Sequence, residues 1–153
     1  SILFGSAAYG GALIGDKTVE EANELRHMAI WVGLGFQIWD DYLDATAPAE
    51  VLGKPSGSDI RQGKRTLLVI EALNRTKPDE RKELIRILDD SKNTDDDVQR
   101  AVKIMSECGA LENCRKQALD YLHGAKETIE KYPKGEAREL LEELLEYMVT
   151  RGH

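Results

Sequence analysis

Between Ala29 and Ile38 the chain has almost no residue suited to water, and it then runs directly into Trp39-Asp40-Asp41-Tyr42-Leu43-Asp44. A helix that is apolar on nearly every side has to lie inside a fold, so three carboxylates arrive at the end of a buried element. At helical spacing Asp40 and Asp44 share a face with Gln37 one turn earlier, while Asp41 is rotated by about 100° from Asp40. Like charges repel there. The partial negative charge of a helix C-terminus adds to the penalty unless something positive is placed against them. A hard divalent cation answers this most simply. Oxygen donors without nearby His or Cys favour magnesium over zinc, and a partial ligand set leaves coordination positions for water or phosphate.

The rest of the chain sets the fold class. No strand-period pattern occurs, and Val and Ile recur at helical positions, so an all-α fold is expected. A Gly- and Ala-rich helix covers Ser1 to about Ile14. Thr18, with Glu21 three residues on, forms a capping box that opens the long helix ending at the aspartates. Residues 45–64 hold Pro48, Pro55 and three glycines and read as a loop. Helices follow from about Arg65 to Asn74 and from Pro78, the latter burying Leu84, Ile85, Ile87 and Leu88. Thr94 caps the next, which stops near Gly109. Ala110 to Tyr132 is a long amphipathic helix ended by Pro133, and Glu136 to Thr150 carries an apolar stripe of Leu140, Leu141, Leu144, Leu145 and Met148. The expected architecture is a helical bundle of about six or seven helices in a single domain, residues 1–153, which at this length buries roughly 70% of its unfolded surface.

Charge and apolar run length narrow the function classes. A net charge of −7 argues against a general nucleic-acid surface, which needs a basic face. The longest apolar run, Ala29 to Trp39, is too short and too polar for a transmembrane segment, and no basic flank marks a signal peptide, so a cytoplasmic protein is expected. Cys108 and Cys114 lie on different helix faces with no second pair for zinc, and read as reduced thiols.

The loop supplies the charge that the aspartates lack. Gly53-Lys54-Pro55-Ser56-Gly57-Ser58-Asp59-Ile60-Arg61-Gln62-Gly63-Lys64-Arg65-Thr66 leads into a helix, where glycines admit an anion, N–H groups face it and lysines provide cationic donors. It is not a Walker A loop: Gly57 and Gly63 are too far apart, Arg65 separates Lys64 from Thr66, and no strand precedes it. Two other acidic clusters read differently. Asp95-Asp96-Asp97 follows Thr94 at a helix start, where capping explains it, and Asp89-Asp90-Ser91-Lys92-Asn93 falls where a polar helix end meets a turn. An acidic site followed by a basic glycine loop points to chemistry on a metal-complexed diphosphate or phosphate, with cations shielding an anionic leaving group.

The stretch from Gly35 to Asp44, followed by Gly53-Lys54, Gly57-Ser58-Asp59, Gly63-Lys64 and Thr66, closely resembles the second aspartate-rich region of the trans-isoprenyl diphosphate synthases, the polyprenyl synthetase family. The likeness continues through Gly109-Ala110-Leu111 to Arg151 as a helical pattern. The resemblance implies an isoprenoid synthase fold and a prenyltransferase that joins isopentenyl diphosphate to an allylic diphosphate. Magnesium-assisted ionisation, carbocation alkylation and proton loss would give a short-chain product such as farnesyl or geranylgeranyl diphosphate. It further implies that Asp40 ligates Mg2+ directly, that Asp41 and Asp44 complete the acidic site partly through water, that Lys54 and Lys64 contact the allylic diphosphate, that Phe36 and Gln37 face substrate, and that Asp59 positions the loop.

Family members also carry a first aspartate-rich motif with an adjacent arginine pair, and a Lys-Thr pair just before the segment matching Ser1 to Phe4; neither lies in this sequence. With its uncapped start, the chain therefore reads as the C-terminal half of a synthase, incomplete at the N-terminus, with apolar faces that favour a homo-oligomer, a dimer or a helix-swapped form. Two alternatives remain open. One is a catalytically inert module that binds magnesium diphosphate or pairs with a complementary chain; the other is a class I terpene cyclase, against which the basic glycine loop argues.

Overall fold

The computed structural model describes residues 1–48, 50, 53 and 56–150. Among them are eight helices: α1 (Ile2–Ile14), α2 (Val19–Thr46), α3 (Ser58–Arg61), α4 (Leu67–Arg75), α5 (Pro78–Asp89), α6 (Asp95–Glu107), α7 (Ala110–Ile129) and α8 (Glu136–Thr150). The expected all-α class is what forms. The additional helix is α3, a four-residue turn inside the segment expected to be loop. Among the described residues no helix is long and apolar enough to cross a membrane. The described residues divide into two compact units, one within 1–37 and 117–150 and one within 38–116.

In the first unit, local chemistry starts the long helix. The Thr18 hydroxyl accepts the Glu21 N–H at 3.2 Å, and the Glu21 carboxylate accepts the Thr18 N–H at 2.9 Å, so the capping box is complete. Small residues let α1 approach α2: a Cβ on Gly5 would stand 2.7 Å from Ile30 Cγ1, and one on Gly33 2.6 Å from Ser1 Cα. The core gathers Met28, Val32, Leu122, Ala125, Ile129, Leu145 and Met148, with Phe4, Leu25 and Phe36 at its edge. Each fully buried side chain of this size contributes about 1.5–3 kcal/mol. Only part of the α8 stripe takes part. Leu145 and Met148 are buried, whereas Leu140, Leu141 and Leu144 are exposed, because only one edge of that stripe faces the core.

The second unit holds the C-terminal turns of α2 and helices α3 to α6. Helix α3 packs on α5 and α6, and α4, α5 and α6 pack on one another. Leu68, Val69, Leu84, Ile87, Ile104 and Met105 are almost wholly buried. Ile85 is exposed, contrary to expectation: it lies one position beyond Leu84, on the far side of an α5 stripe that Leu84, Ile87 and Leu88 already complete. Pro78 opens α5 at its first turn as expected. Thr94 and Asp97 cap α6 reciprocally, Asp97 N–H to Thr94 Oγ1 at 3.2 Å and Thr94 N–H to Asp97 Oδ2 at 3.0 Å.

Candidate functional site

Helix α2 does not stop at the aspartates. Ala45, Thr46 and Ala47 contain no helix breaker before Pro48, and the ladder continues with the Ala47 N–H on the Leu43 carbonyl at 2.8 Å. Asp40, Asp41 and Asp44 therefore occupy its last two turns. Their surroundings differ. Asp40 and Asp41 are half-buried, while Asp44 is only 2% exposed and is the one charged side chain in the core among the described residues.

What offsets the burial of Asp44 is the segment that follows. Its carboxylate accepts the Ser58 hydroxyl on Oδ1 at 2.6 Å and the Asp59 N–H on Oδ2 at 3.0 Å. Its carbonyl accepts the Gly57 N–H at 2.6 Å and the Ser56 hydroxyl at 3.1 Å. A hydrogen bond to a carboxylate is worth about 1.5–3 kcal/mol, so the two on the side chain work against the cost of burying it.

The same segment is packed or bonded at five other places. Gly57 has φ +74°, and a Cβ there would come 2.3 Å from Val98 Cγ1; Gly63 has φ +64°, with its Cβ position 2.4 Å from the Leu88 carbonyl oxygen. These two glycines are required by a left-handed backbone and by helices α6 and α5 against them, a role that sequence spacing alone did not separate from anion binding. Asn93 Nδ2 donates to the Ile87 carbonyl at 3.2 Å and the Ile60 carbonyl at 3.4 Å. Arg65 reaches Asp89 at 2.5 Å and the Gly63 carbonyl at 2.8 Å, and Arg61 pairs with Asp95. The Asp89-to-Asn93 cluster is thus a clasp for this segment. Its anchor Asn93 was missed as such, although an Asn preceding a capped helix is an available signal.

Lys64 is exposed and its ammonium lies 2.5 Å from Asp59 Oδ1. Asp41, Asp44, Asp59, Lys64 and Thr66 line one crevice of about 10 Å3, room for about one water molecule. Acidic and basic elements expected to cooperate are therefore neighbours within the second unit, although Asp40 does not line that crevice. Lys54, expected to contact diphosphate, lies outside the described residues. Phe36 and Gln37 fall in the first unit. The Phe36 ring stands 6.0 Å from that of Phe4, half-buried against the core, and Gln37 is exposed.

No three His, Cys, Asp or Glu side chains among the described residues converge as a ready-made metal cage. The all-oxygen donor set of Asp40 and Asp41 fits a hard divalent cation whose remaining positions are filled by water and phosphate oxygens, and does not fit a closed protein site. Two shifted groups nearby have structural causes. Arg86 bonded to Asp97, with the Thr94 N–H, holds the Asp97 carboxyl at about 2. Burial, with Glu71 adding to it, pushes the Cys114 thiol up to about 11. Space does not mark the site: the cleft of about 840 Å3 lined by α7 and α8 residues such as His123, Lys126 and Glu142 contains none of the expected residues.

Residues 1–105 match the sequence model of the polyprenyl synthetase family. A short chain isoprenyl diphosphate synthase of Methanothermobacter thermautotrophicus is 38% identical over 99% of this chain and 46% of its own length. A geranylgeranyl diphosphate synthase of Methanosarcina mazei is 36% identical over 100% of this chain and 45% of its own. Among solved structures, geranylgeranyl pyrophosphate synthetase from Pyrococcus horikoshii superposes with a TM-score of 0.90 at 35% identity, covering 97% of this chain and 45% of that one. A polyprenyl synthase from Caulobacter crescentus, complexed with calcium and isoprenyl diphosphate, gives 0.85 at 35% identity over 99% of this chain and 46% of that one. The chain spans about half the length of the curated relatives it matches. With a helical fold, an aspartate-bearing helix end and a basic loop clasped to it, the chain belongs to the polyprenyl synthetase family.

Proposed function

We propose that this chain forms one wall of a prenyltransferase that condenses isopentenyl diphosphate with an allylic diphosphate, giving a short-chain product such as farnesyl or geranylgeranyl diphosphate. The observation that carries the reading is the clasp of the basic segment onto Asp44, which brings Asp41, Asp44 and Lys64 to one crevice in a family member whose relatives are named as such synthases. Both units are read as parts of a single polyprenyl synthetase domain of the cytoplasm that works as a homo-oligomer, a dimer or a helix-swapped form.

Asp40 and Asp41 present carboxylate oxygens to the cation, read as Mg2+, and Asp44 completes the acidic site behind them. When bound, that cation withdraws charge from the allylic diphosphate as its C–O bond breaks. Lys64, steadied by Asp59, and Lys54 contact the diphosphate and stabilise the charge that develops on it. Phe36 and Gln37 face the substrate from α2. Alkylation of the isopentenyl double bond and loss of a proton then complete the reaction.

The test is turnover of labelled isopentenyl diphosphate with an allylic diphosphate, by this chain alone and with a complementary chain carrying a first aspartate-rich motif. Condensation in either case supports the reading; diphosphate binding without condensation in both supports the inert module instead. Formation of a cyclic hydrocarbon from the allylic diphosphate alone would favour a cyclase.

A further inference from the structure

We infer that Asp44 is a positioning residue, whose task is to hold the basic segment so that the Lys64 ammonium faces the diphosphate, rather than to supply a metal ligand. The inference rests on the reading of Lys64 as a diphosphate contact. It starts from an inequality among three carboxylates that sequence treats alike: Asp40 and Asp41 are half-buried, but Asp44 is 2% exposed. Both Asp44 oxygens already receive donors from residues 14 and 15 positions onward, Ser58 Oγ at 2.6 Å and the Asp59 N–H at 3.0 Å.

From there the connection runs outward. The residue whose N–H Asp44 holds is the one whose carboxylate holds Lys64 Nζ at 2.5 Å. A shift of the Asp44 carboxylate thus moves Asp59 and, with it, the ammonium. The segment has other attachments besides Asp44. Asn93 on the Ile60 carbonyl, Arg65 on Asp89 and Arg61 on Asp95 bond it to α5 and α6, and Gly57 and Gly63 let it pack closely on Val98 and Leu88. Loss of the Asp44 bonds should therefore displace Asp59 and Lys64 within a segment that stays attached.

Asparagine separates the two roles. Its amide oxygen accepts the Asp59 N–H while its NH2 donates to Ser58 Oγ, which turns from donor to acceptor, so both bonds survive without the charge. A metal ligand would lose its negative charge in that change and with it much of its hold on a hard cation. The experiment measures, on this chain, hydrogen exchange of the Asp59 amide and the affinity for inorganic pyrophosphate with Mg2+ by calorimetry.

Asp44→Ala is expected to speed Asp59 exchange about tenfold or more and to weaken pyrophosphate about tenfold, and Asp44→Asn to recover both to within about threefold. Asp44→Asn losing pyrophosphate as badly as Asp44→Ala, with the Asp59 amide still protected, would make Asp44 a ligand and overturn the inference. Faster exchange in Asp44→Ala with unchanged pyrophosphate affinity would make it purely structural and overturn it equally. If Asp44→Ala does not fold, Ser58→Ala removes one carboxylate bond and should move both readouts the same way by a smaller factor; no movement contradicts the inference. A parent chain that binds no pyrophosphate counts against the proposed function, whereas unaccelerated Asp59 exchange counts against the anchor itself.

Discussion

Lys64 and Asp59 lie five residues apart and meet at 2.5 Å, across the turn made by Gly63. The ion pair is lopsided, with the Asp59 side chain 17% exposed and that of Lys64 51%. A largely shielded carboxylate thereby fixes the direction of an exposed cation. Asp59→Ala should lower global stability by less than about 1 kcal/mol, as expected for a pair with one exposed member, yet weaken pyrophosphate several-fold. Denaturation and calorimetry on the same variant check the two halves.

Gly63→Ala should destabilise by about 2–4 kcal/mol, combining the left-handed backbone penalty with a clash against backbone that cannot rotate away. The contact is the Leu88 carbonyl oxygen, 2.4 Å from the Cβ position. Gly53 shares the positive φ but meets nothing within 4 Å, so Gly53→Ala should bear only the backbone penalty of about 1 kcal/mol. Urea unfolding of the two variants measures the difference.

Much of the fold was legible because it depends on neighbours in sequence. The Thr18–Glu21 box, the Thr94 cap, Pro78 at its helix start and the separation of capping aspartates from those on α2 all follow from interactions within a few residues. What was not legible depends on distant partners. Helix α3 is four residues long and is held by Asp44 and Asn93, partners 14 or more residues away in sequence. Ile85 and Leu140 obey helical periodicity, but which edge of a stripe is covered depends on where another helix lies. The different fates of Asp40, Asp41 and Asp44 were hidden for the same reason.

Acid should act on the pairing of α5 with α6. Asp97 is held at about 2, below its ordinary 3.8, chiefly by Arg86 and then by the Thr94 N–H. Because the folded value is the lower, its stabilisation is present above about pH 3.8 and is lost as pH falls through about 2. The stability gap between the parent and Asp97→Asn should therefore narrow over that interval in urea titrations, and a gap independent of pH would contradict the assignment.

The two thiols should react unequally. Cys114 is fully buried and its thiol is pushed up to about 11, chiefly by desolvation, whereas Cys108 is half-buried. At neutral pH, Cys114 should be alkylated only as fast as the second unit opens, and denaturant should expose it. Mass spectrometry after timed iodoacetamide treatment reads each site separately.

The most direct measurement is calorimetric binding of inorganic pyrophosphate to this chain, with and without Mg2+, for the parent and for Asp40→Ala. Binding should require the cation and weaken at least about tenfold in Asp40→Ala while the helical fold persists, since a repulsive charge on α2 is removed. Binding of equal strength without Mg2+, or an Asp40→Ala variant that binds as the parent does, would contradict it.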